Sequence, residues 1–124
     1  MFKFEKLDVW QAAIEYADAV YRCTREFPAD ERFGLTSQVR RAAVSVSSNI
    51  AEGGGRGSNR DFIRFTQIAY GSLMESISQL QIARRQGFLK DELYQDVYQL
   101  AERVARMLSG LRTSMERTSG NNQP

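Results

Sequence analysis

Thirty consecutive residues, Leu35 to Arg64 (LTSQVRRAAVSVSSNIAEGGGRGSNRDFIR), constrain the fold more than any other part of the chain. Wound at ~3.6 residues per turn, Val39, Ala42, Ala43, Val46, Ile50 and Gly53 share one face, the i, i+3/i+4, i+7 spacing of a core stripe. Arg40, Val44, Ser47 and Ala51 form a flank of mostly small side chains, which lets another helix backbone approach. Arg41, Ser45, Ser48, Asn49 and Glu52 make a third, polar line. Two packable flanks and a seam of short polar residues predict a central helix. The run Gly53-Gly54-Gly55-Arg56-Gly57 is expected to end it, because glycine accepts the left-handed conformation found past a helix C-terminus. Ser58, with Asp61 three residues on, is the expected N-cap of the next helix.

Three further segments carry helical periodicity, and none shows convincing period-2 alternation. Asp8, as a cap, opens a helix to about Phe27, where Pro28 stops the hydrogen-bond ladder. Trp10, Ala13, Ile14, Ala17, Val20, Tyr21 and Thr24 form its main stripe, and Val9, Ala12, Tyr16, Ala19 and Cys23 a second one. A third helix is expected from Asn59 to Gln86, with a core line of Phe62, Phe65, Thr66, Ala69, Leu73, Ser76, Ile77 and Leu80. Its second line, Arg64, Ile68, Gly71, Glu75 and Ile82, is too apolar for a purely solvated face. Each second stripe is read as a subunit contact, with Tyr16, Ala19, Cys23, Ile68, Gly71 and Ile82 as candidate interface residues. Gly87 should close this helix. Asp91 should cap a fourth, one-sided and outermost, running to about Arg117 on Leu93, Val97, Leu100, Val104, Met107 or Leu108, and Leu111. Four helices on short links predict an all-α, antiparallel up-down-up-down bundle over residues 1–117. Residues 1 to 7 read as a lead-in, and Thr118 to Pro124 as a disordered tail.

Function is less constrained. The net charge is only +2, but residues 36 to 86 hold seven arginines against three carboxylates. Fourteen of the seventeen basic residues are arginine, the side chain suited to forked phosphate contacts. No apolar run approaches the ~20 residues of a membrane span, and MFKFEKLDVW lacks the regions of a signal peptide, so a cytoplasmic location without membrane partners is expected. One cysteine, Cys23, agrees with a reducing compartment. The chain contains no histidine, which removes His-dependent triads and the commonest metal sites. Cys23 sits on a small-residue stripe, which favours packing over nucleophilic chemistry. Glu52 and Glu75 could pair for acid-base or metal chemistry, but Arg40, Arg41 and Arg56 are near enough in sequence to hold them as structural ion pairs. The glycine run is preceded by no strand and followed by no Gly-Lys-Ser/Thr, so a phosphate loop is not supported. No catalytic residue, cofactor or metal is assigned.

Several motifs resemble one family. KLDVWQAA, FPADERFGLTSQVRRAAVSVSSNIAEGGGR and FIRFTQIAYGSLMES are similar to the 23S rRNA intervening-sequence proteins, over about residues 4 to 90. The family's motif positions include Arg40, Arg41, Asn49, Glu52, Gly53, Gly71 and Glu75. Ser47-Ser48 departs from the pattern, in which a proline often precedes the final serine, and should leave this helix straighter. The resemblance implies a four-helix bundle assembled as a homopentameric ring, often encoded within insertions in 23S rRNA genes, with no established catalytic residue. More distantly it extends to the RNA-binding accessory proteins of diversity-generating retroelements. Nucleic-acid binding is accordingly the main functional expectation, with Arg56, Arg60, Arg64, Arg84 and Arg85 as the phosphate-contacting candidates. The modest charge and the lack of a basic motif interleaved with aromatics count against it. The alternative is a protein-protein scaffold ring that binds no RNA or DNA.

Overall fold

Each of the four predicted helices forms. A computed structural model describes the backbone of residues 1–121 and the side chains of residues 1–118. The helices are α1 (Asp8–Thr24), α2 (Leu35–Gly54), α3 (Asn59–Arg85) and α4 (Asp91–Asn121), with short 3-10 turns at Lys3–Lys6 and Ala29–Glu31. No strand occurs among the described residues. Among the described residues, backbones approach between α1 and α2, α2 and α3, α3 and α4, and α4 and α1, but not across the diagonals. This is the closed square of an all-α four-helix bundle. Antiparallel pairing is direct for α2 and α3: Ser45 Oγ lies 2.9 Å from Ser72 Oγ, while Gly53 near the end of α2 meets Phe62 and Phe65 near the start of α3.

Local chemistry explains most of the boundaries. Ser58 caps α3 by accepting from the Asp61 N–H at 3.2 Å. Gly87, at φ +79°, closes it, with Phe88 N–H donating to the Ala83 carbonyl and Gly87 N–H to Arg84. That is the Schellman pattern. Asp8 and Asp91 are first helical residues rather than caps; there their carboxylates still oppose the positive end of the helix. The glycine run acts differently from expectation. Gly53 and Gly54 are buried helical residues, and among the described glycines only Gly87 has positive φ. A Cβ on Gly53 would lie 2.7 Å from Phe65 Cβ and 2.9 Å from Phe62 Cδ1, so glycine is required there for close approach. α2 is continuous through Ser47 and Ser48. Its polar line does not enclose it, since Arg41, Ser48 and Glu52 are exposed and α2 is one corner of the square. α4 runs past Arg117 to Asn121; the last three residues of the expected tail, 122–124, lie outside the described residues.

The core is filled by Tyr16, Val20, Val39, Val46, Ile50, Leu73, Leu80, Val97, Val104 and Leu108. Leu108, rather than Met107, takes the central position on α4, and Tyr94 and Ala101 join it. The second stripe of α1 is where the sequence reading needs correction. Val9, Ala12, Tyr16, Ala19 and Cys23 are all buried within the chain's own core. In a closed square α1 faces both α2 and α4, so two apolar stripes serve one chain. Tyr16, Ala19 and Cys23 are therefore inaccessible to a second copy.

Candidate nucleic-acid interface

Five arginines were candidates for one phosphate-contacting surface, and the fold separates them into two groups. Arg56, Arg60 and Arg64 gather at the corner where α2 gives way to α3. Arg84 and Arg85 close the other end of α3. Twenty residues from Arg64 to Arg84 at ~1.5 Å each place the groups about 30 Å apart.

Within the corner the arginines differ in their commitments. Arg56 Nη2 lies 3.3 Å from Glu52 Oε1, and its guanidinium sits 4.9 Å above the Phe65 ring. Arg64 approaches the same ring at 5.9 Å. Arg60 and Arg64 are exposed and make no ion pair among the described residues. At the far end Arg84 is held by Asp91 at 2.9 Å and lies 4.5 Å over Tyr94. The hydrogen bond that Arg84 donates to Asp91 raises the Arg84 pKa, keeping an already permanent cation in place. Arg85 is exposed beside it, without an ion pair among the described residues.

Two further family-motif arginines are placed by packing. Arg40 Nε donates to Thr24 Oγ1 at 2.8 Å, and its guanidinium covers the Tyr21 ring at 4.6 Å. This ties α2 to the end of α1, and among the described residues Arg40 pairs with neither Glu52 nor Glu75. Arg41 lines a cleft of about 290 Å³ between α2 and α3 with Gln38, Ala42, Ser45, Ser72 and Glu75. Asn49 Nδ2 donates to the carbonyl of the cleft residue Ser45 at 2.8 Å and to its hydroxyl at 3.0 Å. Glu75 accepts from Gln79 Nε2 at 3.4 Å rather than from an arginine, which corrects the ion pair expected there. Glu52 is level with Phe65, and Glu75 lies ten residues further along α3, about 15 Å at ~1.5 Å per residue, so the two are not a carboxylate pair. Among the described residues no cluster of three or more metal-ligating side chains occurs. Cys23 is buried, and that burial pushes its thiol up to about 11, the reverse of a nucleophile's adjustment.

On the outward side of α3, Ile68 and Ile82 are 43% and 47% exposed. Gly71 is exposed as well, with nothing within 4 Å of where a Cβ would be. These three interface candidates, unlike those on α1, are accessible.

The segment read as a lead-in belongs to the corner. Phe2, Lys3 and Phe4 form one wall of a groove of about 600 Å³, and Ala51, Glu52, Gly54, Gly55 and Arg56 form the other. An aromatic-basic arrangement is therefore present. Its signal in the sequence is the alternation Phe2-Lys3-Phe4, too short to register without Arg56, which is more than fifty positions away.

No helix among the described residues is long and apolar enough to cross a membrane. No curated protein matches the chain. Among solved structures, a protein of unknown function from the S23 ribosomal protein family of Bacteroides thetaiotaomicron, determined at 1.70 Å, superposes with a TM-score of 0.79 at 20% identity, over 90% of this chain and 99% of that one. At that identity the likeness shows a shared fold. Residues 5–110 match the family model described as 23S rRNA-intervening sequence protein. With that match covering most of its length, the chain belongs to the 23S rRNA-intervening sequence protein family.

Proposed function

We propose that the chain is the non-enzymatic protomer of a homo-oligomer that binds nucleic acid through the α2–α3 corner and needs no cofactor. The observation that carries this reading is the grouping of Arg56, Arg60 and Arg64 at one corner, with Arg60 and Arg64 exposed and free of ion pairs among the described residues. Unpaired exposed guanidinium groups are available to phosphate at no cost in broken bridges. The outward face of α3, with Ile68, Gly71 and Ile82, is the contact between copies, and a five-fold ring is the assembly the family resemblance leads us to expect. Repetition of the corner in each copy converts a modest charge per chain into avidity. The absence of an enzymatic role is supported by the chain's lack of histidine, its buried Cys23 and the separation of Glu52 from Glu75.

A second reading, a scaffold ring that recruits only protein, is favoured by one observation: Arg56 and Arg84 are already paired with Glu52 and Asp91. Retention on a mixed RNA pool separates the two. For Arg60→Glu/Arg64→Glu the nucleic-acid reading expects lost retention with an unchanged oligomer. Wild-type protein that passes through without salt-sensitive retention would establish the scaffold instead.

A further inference from the structure

Phe2 lies outside the core. It is 74% exposed, yet its position is fixed. Its N–H donates to Glu5 Oε1 at 2.9 Å and its carbonyl accepts from Glu5 N–H at 3.2 Å, which closes the Lys3–Lys6 turn. Phe4, two residues on, is the anchor. Phe4 and Leu7 rest on Gly54, where a Cβ would lie 3.4 Å from each, and the Phe4 ring meets Trp10 edge-on at 5.1 Å. The Phe2 ring lies parallel to Phe4, at 7° with centroids 6.3 Å apart. A hydrophobic ring is thus held in a set orientation with most of its surface in water, where nothing in the fold of the chain requires it.

The groove beside this ring has the other parts of a nucleotide site. Lys3 stands on the Phe2 side and Arg56 on the opposite side, while the exposed Gly55 adds no side chain to the wall it shares with Arg56. Glu52 is the one carboxylate in the groove, and its bridge to Arg56 is about half exposed on both sides, so a phosphate can replace it at little cost. Resting on the nucleic-acid reading above, we infer that this groove is where the strand is gripped, and that its ligand is single-stranded: an unpaired base stacks on Phe2 while its phosphate lies between Lys3 and Arg56. Only an unpaired base offers a free face to an aromatic ring, since in a duplex those faces are stacked on one another. The volume of about 600 Å³ suits one nucleotide. From Arg56 the phosphate track continues to Arg60 and Arg64, so the aromatic and the arginines act on successive nucleotides of one strand.

The test is fluorescence anisotropy with a labelled single-stranded RNA 20-mer and a duplex of the same length, using protein tagged only at the C-terminus. Phe2→Ala is expected to weaken single-strand binding at least about five-fold, the lower end of one base-aromatic stack, with duplex binding and the salt slope unchanged. Phe2→Trp should retain the affinity, and Lys3→Glu should make the single-strand salt slope shallower by about 0.7. Because Phe2 packs against no core residue, these variants fold as wild type, which circular dichroism checks. If Phe2→Ala binds the single strand as wild type does while Arg60→Glu/Arg64→Glu does not, this site is wrong and the nucleic-acid reading stands. If wild-type protein binds neither strand nor duplex, both fall.

Discussion

Tyr16 Oη lies 2.6 Å from Ser76 Oγ in the centre of the bundle, joining α1 to α3 across the diagonal of a square whose opposite backbones do not meet among the described residues. Ser76 Oγ also donates to the Leu73 carbonyl at 2.7 Å. Its one hydrogen is therefore spent, and Tyr16 must be the donor. The asymmetry has a measurable consequence. Tyr16→Phe removes one neutral hydrogen bond and should cost about 1 kcal/mol, or about 3–6 °C in Tm for a chain of this size. Ser76→Ala leaves a buried phenol with no acceptor and should cost more, about 1–3 kcal/mol. Thermal unfolding of both variants checks the order; equal or reversed losses would mean that the pair is not formed.

Burial raises the Tyr16 pKa above its usual value and pushes the Cys23 thiol up to about 11. Both groups ionise more easily in the unfolded chain, so above the ordinary thiol range the unfolded state binds fewer protons. Stability is then complete below about pH 9 and falls as pH rises through about 11. Urea midpoints at pH 7 and 9 should stay close and that at pH 10.5 should be lower, and Cys23→Ala should reduce the drop. In the native protein at pH 8 a thiol reagent should label Cys23 only at the rate of unfolding. Immediate labelling would contradict its burial.

Two glycines on facing helices should respond oppositely to alanine. At Gly53 the new methyl meets Phe65 Cβ at 2.7 Å, a backbone-proximal atom that cannot swing away. Overpacking of this kind costs about 1–3 kcal/mol, which outweighs the ~1 kcal/mol of helix propensity gained. Gly71 has open space around it, so alanine should stabilise an isolated chain by up to about 1 kcal/mol. Denaturant midpoints of the two variants give the sign directly.

These glycines also show what the sequence could convey. Periodicity identified α2 and its core stripe, because each core position reports only its own side. It misread why Gly53 is glycine, since the reason lies in Phe62 and Phe65 across the α2–α3 contact. The same limit applies to Tyr16, Ala19 and Cys23: two stripes on one helix look alike whether the second partner is another chain or the fourth helix of the same one. The corner arginines were legible as a local run. The sequence reading grouped Arg84 and Arg85 with them, although the length of α3 sets the two groups apart, and the Phe2–Arg56 groove depends on a tertiary contact that no local pattern records.

The accessible half of the predicted interface gives its own prediction. Ile68→Glu/Ile82→Glu places charge on the outward face of α3 without touching the core, so helicity should persist while the assembly dissociates. Light scattering should fall from about 70 kDa, five times the 14.1 kDa chain, to the mass of one chain. A wild-type protein that is already monomeric would remove the assembly from the account.

The most direct test of nucleic-acid binding at the corner is the salt dependence of RNA affinity, with log K measured against log salt for wild type and Arg60→Glu/Arg64→Glu. Each phosphate contact on a single strand contributes a slope of about −0.7. The account predicts a steep wild-type slope that becomes shallower by about 1.4 units in the variant, with lower affinity at every salt concentration. Identical slopes and affinities for the two proteins would contradict it.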